Sequence, residues 1–185
     1  MTKQRVFKNN GKLFETNFKD SFGPHIWTYR PPDTGGGMRA RFTQESLCDL
    51  MAYNTKNKKF VLFELKSTLS TSVSFRPYKQ CFDYEIEKAK FENWNKNLNT
   101  ESRKKFKEEI KAGKKKIKEL YKATNSAMIK YHQITSLLEA KNNFNIESYI
   151  IITFFKTTNT YAIPIENFVE FWKETTKKSL NEKDL

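Results

Sequence analysis

The sequence contains very little cysteine and histidine. Among its 185 residues are two cysteines, Cys48 and Cys81, and two histidines, His25 and His132. The cysteines have no paired spacing and no neighbouring histidine, which argues against a zinc site and favours two reduced thiols. Two histidines also leave little material for a catalytic triad or a histidine-rich transition-metal site. Any chemistry must therefore depend on other residue types.

Long apolar runs are missing as well. No stretch approaches the roughly 20 apolar residues of a membrane-spanning helix, and residues 1–10 lack the apolar segment of a signal peptide. The glycines at 35–37 are followed by Met38 and Arg39 rather than by the Lys-Ser/Thr of a phosphate-binding loop. We expect a soluble cytoplasmic protein with no membrane partner.

Positive charge is abundant. The chain has 34 Lys and Arg against 21 Asp and Glu, a formal charge of +13, which predicts a polyanionic partner such as nucleic acid. The length predicts one domain, residues 1–185, with a basic N-terminal arm at residues 1–11. This arm either clamps DNA or is merely a solvated terminus. Its basic residues, with the one that follows it, are Lys3, Arg5, Lys8 and Lys12.

The run FVLFELKS at residues 60–67 predicts a buried strand that ends in two charged side chains. Because side chains alternate between the faces of a strand, Glu64 and Lys66 share a face while Leu65 points to the other. Burying both charges is unfavourable unless they are paired or hold an ion. Taken alone, the pattern also fits an ordinary exposed ion pair.

A second strand precedes this one. Residues 46–53 predict a strand and residues 54–59 a polar turn, so that the two strands form a hairpin that brings Asp49 near Glu64 and Lys66. Two carboxylates and a lysine would then converge. Such a cluster suits Mg²⁺, which prefers carboxylate and carbonyl oxygens, with Lys66 positioning what the metal activates.

Short matches in a fixed order carry a resemblance to the PD-(D/E)xK nuclease superfamily. More narrowly, the chain resembles the RecU-type Holliday junction resolvases, in a version typical of a phage or a low-GC Gram-positive bacterium. The matching segments are residues 10–15 (NGKLFE), 48–53 (CDLMAY), 63–68 (FELKST), 74–75 (SF) and 132–134 (HQI).

This resemblance implies an α/β fold, a restriction-endonuclease-like core with a mixed central sheet flanked by helices. It implies a homodimeric, Mg²⁺-dependent endonuclease (Mn²⁺ substituting) that resolves four-way DNA junctions by paired nicks during recombination and repair, in the host cytoplasm if phage-encoded. Catalytic roles fall to Glu15, Asp49, Glu64, Lys66 and Gln133, with the metal held by Asp49, Glu64 and the Leu65 carbonyl. Another nuclease of the superfamily, or an inactive protein that binds branched DNA, remain alternatives.

The chain departs from that family in two places. Cys48 stands where the family usually has Thr, and a helical hairpin is predicted as an insertion at residues 77–130. The insertion carries a surplus of lysines, which indicates either DNA contact or a solvated helix face. The remaining candidate DNA contacts are Arg30, Arg39, Arg41, Lys114, Lys115 and Lys116.

Other segments have clear periodicity. We expect an amphipathic helix at residues 12–21, a strand at 25–30 and a core helix that begins at Tyr131. Residues 149–155 predict a central strand, and a returning strand and a final helix should follow it. The polar tail at residues 176–185 is expected to be frayed.

Overall fold

Helices cover both faces of one mixed sheet in this protein. The structure, a computed structural model, describes residues 10–31 and 46–185. In chain order the elements are α1 (Asn10–Asp20), β1 (Ile26–Tyr29), β2 (Leu50–Asn54), β3 (Lys59–Thr68), β4 (Ser72–Ser74), α2 (Tyr78–Lys96), α3 (Thr100–Lys105), α4 (Lys107–Thr124), α5 (Tyr131–Phe144), β5 (Glu147–Phe154), β6 (Asn159–Pro164), α6 (Ile165–Glu174) and β7 (Ser179–Asn181). A 3₁₀ turn at Glu182–Asp184 follows β7.

The main sheet has the strand order β1-β2-β3-β5-β6. Strands β1, β2 and β3 form an antiparallel meander, β3 and β5 are parallel, and β6 returns antiparallel to β5. A parallel pair needs a long crossover connection, which here contains the insertion and α5. The predicted α/β class, with a mixed central sheet between helices and a helical insertion, is confirmed.

The two faces of the sheet have cores of different size. Helix α1 packs Phe14 and Phe18 against Leu50, Leu65 and Ile151, which form the smaller cluster. The opposite face is covered by α5 and α6, and the larger cluster lies there. Since β3 and β5 lie between the two clusters, the centre of the sheet is dry on both sides.

The insertion is a helical hairpin whose long helices, α2 and α4, pack against each other. Gly113 of α4 approaches the ring of Phe91 on α2 so closely that a Cβ on the glycine would lie 2.2 Å from a ring carbon. Trp94 adds ring contacts to Phe91 and Phe106. The short helix α3 in the connection is an addition to the predicted hairpin.

Three expected boundaries need correction. The strand predicted for residues 46–53 begins only at Leu50, so Asp49 precedes β2. Helix α1 begins at Asn10, which shortens the arm predicted for residues 1–11, and residues 1–9 lie outside the described part of the chain. The expectation of a frayed tail is wrong: β7 pairs with β4, and its Leu180 is 3% exposed in the larger cluster.

Candidate active site

Strand β3 brings Glu64 and Lys66 to one face, as their spacing predicts. The Lys66 Nζ lies 2.6 Å from Glu64 Oε1, and the Glu64 side chain is only 1% exposed. Residues on both sides of the sheet exclude water from this part of β3. The pair is therefore a buried salt bridge, in which each charge depends on the other for compensation.

Asp49 reaches the same place from the neighbouring strand. Its backbone N–H donates to the Phe63 carbonyl at 3.1 Å, and its Oδ2 accepts from the Leu65 N–H at 2.9 Å. The Asp49 carboxylate thus takes the position that a backbone acceptor of β2 would occupy if the strand extended further. Asp49, Glu64 and Lys66 converge as the hairpin predicts, and their catalytic roles stay predictions.

The Leu65 carbonyl faces the same edge. The N–H and C=O of one residue in an antiparallel ladder point to the same neighbouring strand. Because the Leu65 N–H bonds the side chain of Asp49, its carbonyl also points towards the space beyond the start of β2. A third oxygen is therefore oriented towards the two carboxyl groups.

Gln133 reaches the site from helix α5, which covers the face of the sheet that carries Glu64. Its Nε2 donates to Glu64 Oε1 in a short hydrogen bond, while its own Oε1 accepts from the Lys130 N–H at 3.0 Å. The second bond fixes which way the amide points. Lys66 and Gln133 thus both donate to the same oxygen of Glu64, and the other oxygen, Oε2, is left for a different partner.

The electrostatics of the site favour a proton or a cation between the carboxyl groups. Burial raises the pKa of the Glu64 carboxyl to about 8; the Lys66 ammonium lowers it, and the adjacent Asp49 carboxyl raises it again, in part through a hydrogen bond between the two side chains. Burial also raises the pKa of the Cys48 thiol to about 12, with Glu64 and Asp49 adding to the effect. Cys48 is therefore a neutral packing residue.

Glu15 is not brought into this group. Its carboxylate lies 2.7 Å from the Arg30 guanidinium, and the described ranges 10–31 and 46–185 contain no cluster of three or more His, Cys, Asp or Glu side chains able to hold a metal. Helix α1 nevertheless approaches the end of β3, where a Cβ on Gly11 would lie 3.7 Å from Ser67 Oγ. The catalytic role of Glu15 stays a prediction.

The candidate DNA contacts are scattered. Lys12 is exposed on α1, and three lysines are exposed on α4: Lys114, Lys115 and Lys116. Lys116 pairs with Glu87 of α2 at 2.6 Å, and Lys115 lies 4.0 Å from Glu119. Arg30 follows β1 and pairs with Glu15 of α1 at 2.7 Å. The other five candidates lie outside the described residues: Lys3, Arg5, Lys8, Arg39 and Arg41.

Both ends of the insertion are fixed close together beside the site. The Ile129 N–H donates to the Ser74 carbonyl at 3.0 Å, and the Arg76 guanidinium donates to Ser126 Oγ. Asn125 Oδ1 accepts from the His132 N–H at 3.1 Å and lies 2.9 Å from His132 Nδ1. The insertion is thus joined to the first turn of α5, which carries Gln133.

Asn125 was missed by reasoning from sequence. It satisfies a free N–H at the start of α5 from six positions before that helix begins, outside the usual capping position. A lone asparagine after a basic helix gives no signal for such a contact. Only the folded return of the insertion brings Asn125 and His132 together.

Comparisons with known proteins give matches among solved structures alone. No protein-family model matches the chain, and no curated protein sequence matches it. Among solved structures, the chain is similar to Archaeoglobus fulgidus Hjc, a Holliday junction resolvase from an archaeal hyperthermophile, with 11% sequence identity and a TM-score of 0.43. The alignment covers 92% of this chain and 86% of that one. Within the part of the chain that is described, no helix is long and apolar enough to cross a membrane.

Proposed function

We propose that the protein is a metal-dependent endonuclease that cuts branched DNA, in the manner of a RecU-type resolvase from a phage or a low-GC Gram-positive bacterium. The observation that carries this proposal is the meeting of Asp49 and Glu64 at the end of β3, with Lys66 2.6 Å from Glu64. Two carboxylates and an ammonium in one largely buried site suit the hydrolysis of a phosphodiester bond.

The residues present fit a magnesium ion. Burial and the adjacent Asp49 raise the pKa of the Glu64 carboxyl, and a divalent cation bound there would take the place of the proton that Glu64 otherwise holds. Asp49, Glu64 Oε2 and the Leu65 carbonyl are the hard oxygen donors that Mg²⁺ prefers, and Mn²⁺ accepts the same set. When bound, the metal would supply an activated water and would offset negative charge on the scissile phosphate.

The protein side chains have separate tasks around this ion. Gln133 and Lys66 hold Glu64 Oε1, so that Oε2 is presented in a fixed direction. The Leu65 N–H holds Asp49 in the same way. Lys66, whose side chain is 14% exposed, is the cation that borders the site, and its ammonium orients the attacking oxygen or stabilises charge that develops on the phosphate.

The choice of substrate follows from the resemblance and from the charge. The segments in the resolvase order favour a four-way junction, and the net charge of +13 favours a polyanion such as DNA. Cutting two opposing strands of a four-way junction requires two equivalent sites, which a two-fold homodimer supplies. The lysines of α4 lie on an insertion whose two ends are joined beside the site, and they add positive charge to this part of the protein.

The decisive experiment incubates the wild-type protein with an end-labelled four-way junction and, separately, with a linear duplex of the same sequence. We expect paired nicks in the junction with Mg²⁺ or Mn²⁺ and none in EDTA. Asp49→Asn and Glu64→Gln should abolish cleavage and retain junction binding, because they remove metal ligands and leave the basic surface intact. Equal cleavage of both substrates would indicate another nuclease of the superfamily, and binding without cleavage would indicate an inactive protein.

A further inference from the structure

The β1 side of the sheet carries an exposed group of aromatic rings that the site described above does not use. We call it the aromatic platform; it consists of Trp27, Tyr29, Tyr53 and Phe60. Trp27 is 55% exposed, Tyr29 44% and Phe60 45%. The rings of Trp27 and Tyr29 are parallel within 1°, with centroids 5.9 Å apart, and Tyr53 and Phe60 lie 4.6 Å from each other.

Strand register places all four rings on one face. Trp27 is paired with Tyr53, and Tyr53 is paired with Phe60, so the three side chains stand in a row across β1, β2 and β3. Along β3 the period of two then places Phe60, Glu64 and Lys66 on the same face. The platform and the candidate active site therefore occupy one surface of the sheet.

Among the described residues, the exposed aromatic rings on this face of the sheet belong to the platform. On the same face, Leu62, Ile150 and Ile152 are buried under α5 and α6. Towards β1 the helices of the described ranges no longer cover the sheet, and the rings of Trp27, Tyr29 and Phe60 are exposed. Exposed aromatic residues grouped in this way mark an interaction surface rather than ordinary surface composition.

The charge beside the platform is positive. The turn at residues 54–59, which joins the strands of Tyr53 and Phe60, contains three exposed lysines and no acidic residue. These are Lys56, Lys58 and Lys59, and none of them forms an ion pair with a residue in the described ranges. Aromatic rings next to unpaired lysines fit a partner that combines flat rings with phosphates, as single-stranded DNA does.

The platform lies close to the proposed site of cleavage. Tyr29 is paired with Met51, two residues from Asp49 on the neighbouring strand. With strands roughly 5 Å apart and about 3.4 Å per residue, the Cα atoms of Tyr29 and Asp49 are separated by roughly 8 to 9 Å. Stacked nucleotides of duplex DNA advance about 3.4 Å each and unstacked ones advance further, so the platform lies within a few nucleotides of the candidate active site.

We propose that the aromatic platform binds unstacked bases of the DNA substrate within a few nucleotides of the scissile phosphate, an inference that rests on the proposed function. Trp27 and Tyr29 provide the stacking surface, and Lys56, Lys58 and Lys59 hold the phosphates of the same strand. The platform thus selects DNA whose bases are already unpaired at a branch point, since a continuous duplex would not expose them.

The test measures binding without cleavage. Junctions and single strands that carry 2-aminopurine beside the branch point are titrated with protein in EDTA, and both fluorescence and affinity are followed. The double variant Trp27→Leu/Tyr29→Leu should bind at least about fivefold more weakly and should lose the change in 2-aminopurine fluorescence. Trp27→Phe should retain most of both signals, because the ring remains.

A matched control is Phe144→Leu, which removes another exposed ring, 72% exposed, at the end of α5. It should leave both signals unchanged. Thermal unfolding confirms that the variants fold; if the double variant does not, the single variant Trp27→Leu carries the test. Unchanged affinity and fluorescence in a folded variant would overturn the proposal.

Sedimentation identifies the other possible occupant, a second copy of the chain. Conversion of a wild-type dimer to a monomer in the double variant, with the fluorescence change preserved, would show a subunit interface instead and overturn the proposal. Failure of the proposed function has a different result. If the wild type shows the fluorescence change but cuts no DNA with Mg²⁺ or Mn²⁺, the proposal that the platform binds bases stands and the proposed nuclease activity is refuted.

Discussion

Two ion pairs of equal length occupy opposite environments in this protein. Lys66–Glu64 in the sheet and Lys116–Glu87 in the insertion both measure 2.6 Å. The first pair has side chains that are 14% and 1% exposed, whereas those of the second are 63% and 36% exposed. Water screens the exposed pair, so its contribution to stability is on the order of 0–1 kcal/mol. The distance between charges therefore indicates function only together with burial.

The sharpest contrast between the pairs is expected in catalysis. Lys66→Met should lower the single-turnover rate of junction cleavage roughly 100- to 1000-fold, because it removes the cation that we propose stabilises charge on the phosphate. Lys66→Arg should rescue little of the rate, since the planar guanidinium does not replace an ammonium. Lys116→Met is the control, with a rate close to that of wild type. A Lys66→Met protein of full activity would reduce that pair to a purely structural contact.

The buried pair should also make stability depend on pH. Because the pKa of Glu64 rises from an ordinary 4.5 to about 8 on folding, the folded protein holds this proton more tightly than the unfolded chain does. This contribution to the free energy of unfolding is complete below pH 4.5 and is lost as pH rises towards 8. Without metal, the urea midpoint of wild type should therefore fall relative to that of Glu64→Gln between pH 5 and 8.

Magnesium provides the control for this experiment. At pH 8 it should raise the urea midpoint of the wild type, because it binds the ionised carboxyl groups of the folded state only. It should have little effect on Glu64→Gln. Parallel pH curves for the two proteins would contradict the shifted pKa of Glu64.

Packing in the insertion can be tested with its glycine. Gly113→Ala places a methyl group against Phe91 and should lower the free energy of unfolding by about 1–3 kcal/mol, as overpacking does. The matched control is Gly11→Ala on α1, where the new methyl group meets Ser67 Oγ at an ordinary 3.7 Å. The control should be neutral or slightly stabilising, since alanine favours a helix. Chemical denaturation measures the free energy of unfolding of both variants. Equal values would show that Phe91 moves to accommodate the methyl group at little cost.

The smallest expected effect concerns the exposed lysines. Lys114→Gln/Lys115→Gln should reduce the logarithmic salt slope of junction binding by roughly 2 units if both contact phosphates. Adding Lys116→Gln should change the slope little, because Glu87 already holds that ammonium. Lys173→Gln on α6 controls for loss of an exposed helical charge. An unchanged salt slope in the double variant would show that these lysines belong to a solvated helix face and do not contact DNA.

Local periodicity made the central part of the site predictable. An alternating strand places Glu64 and Lys66 on one face, and a hairpin brings Asp49 beside them, without information from the rest of the chain. The pair Lys115–Glu119 follows from helical spacing in the same way. Each of these features joins residues that are a few positions apart or are connected by one turn. Local spacing in the sequence is therefore enough to predict them.

Contacts between distant segments were not predictable. Strand β7 is three residues long and buries little besides Leu180, so only the presence of β4 makes it a strand. Lys116 and Glu87 are 29 positions apart and meet because α2 and α4 pack together. The platform escaped notice for the same reason: Trp27, Tyr53 and Phe60 form one surface only through strand register.

The joined ends of the insertion also bear on how the chain folds. Phe63 pairs with Tyr149 across 86 positions of sequence, and the parallel strands β3 and β5 must close this long loop. The hydrogen bond between Ser74 and Ile129 encloses 55 of those positions, which belong to a hairpin of local contacts. If the hairpin forms first, the loop that remains is about 31 positions long, and the entropic cost of closing it falls by about 1 kcal/mol. Early folding of the hairpin would thereby offset the length that the insertion adds to the loop whose closure positions Glu64.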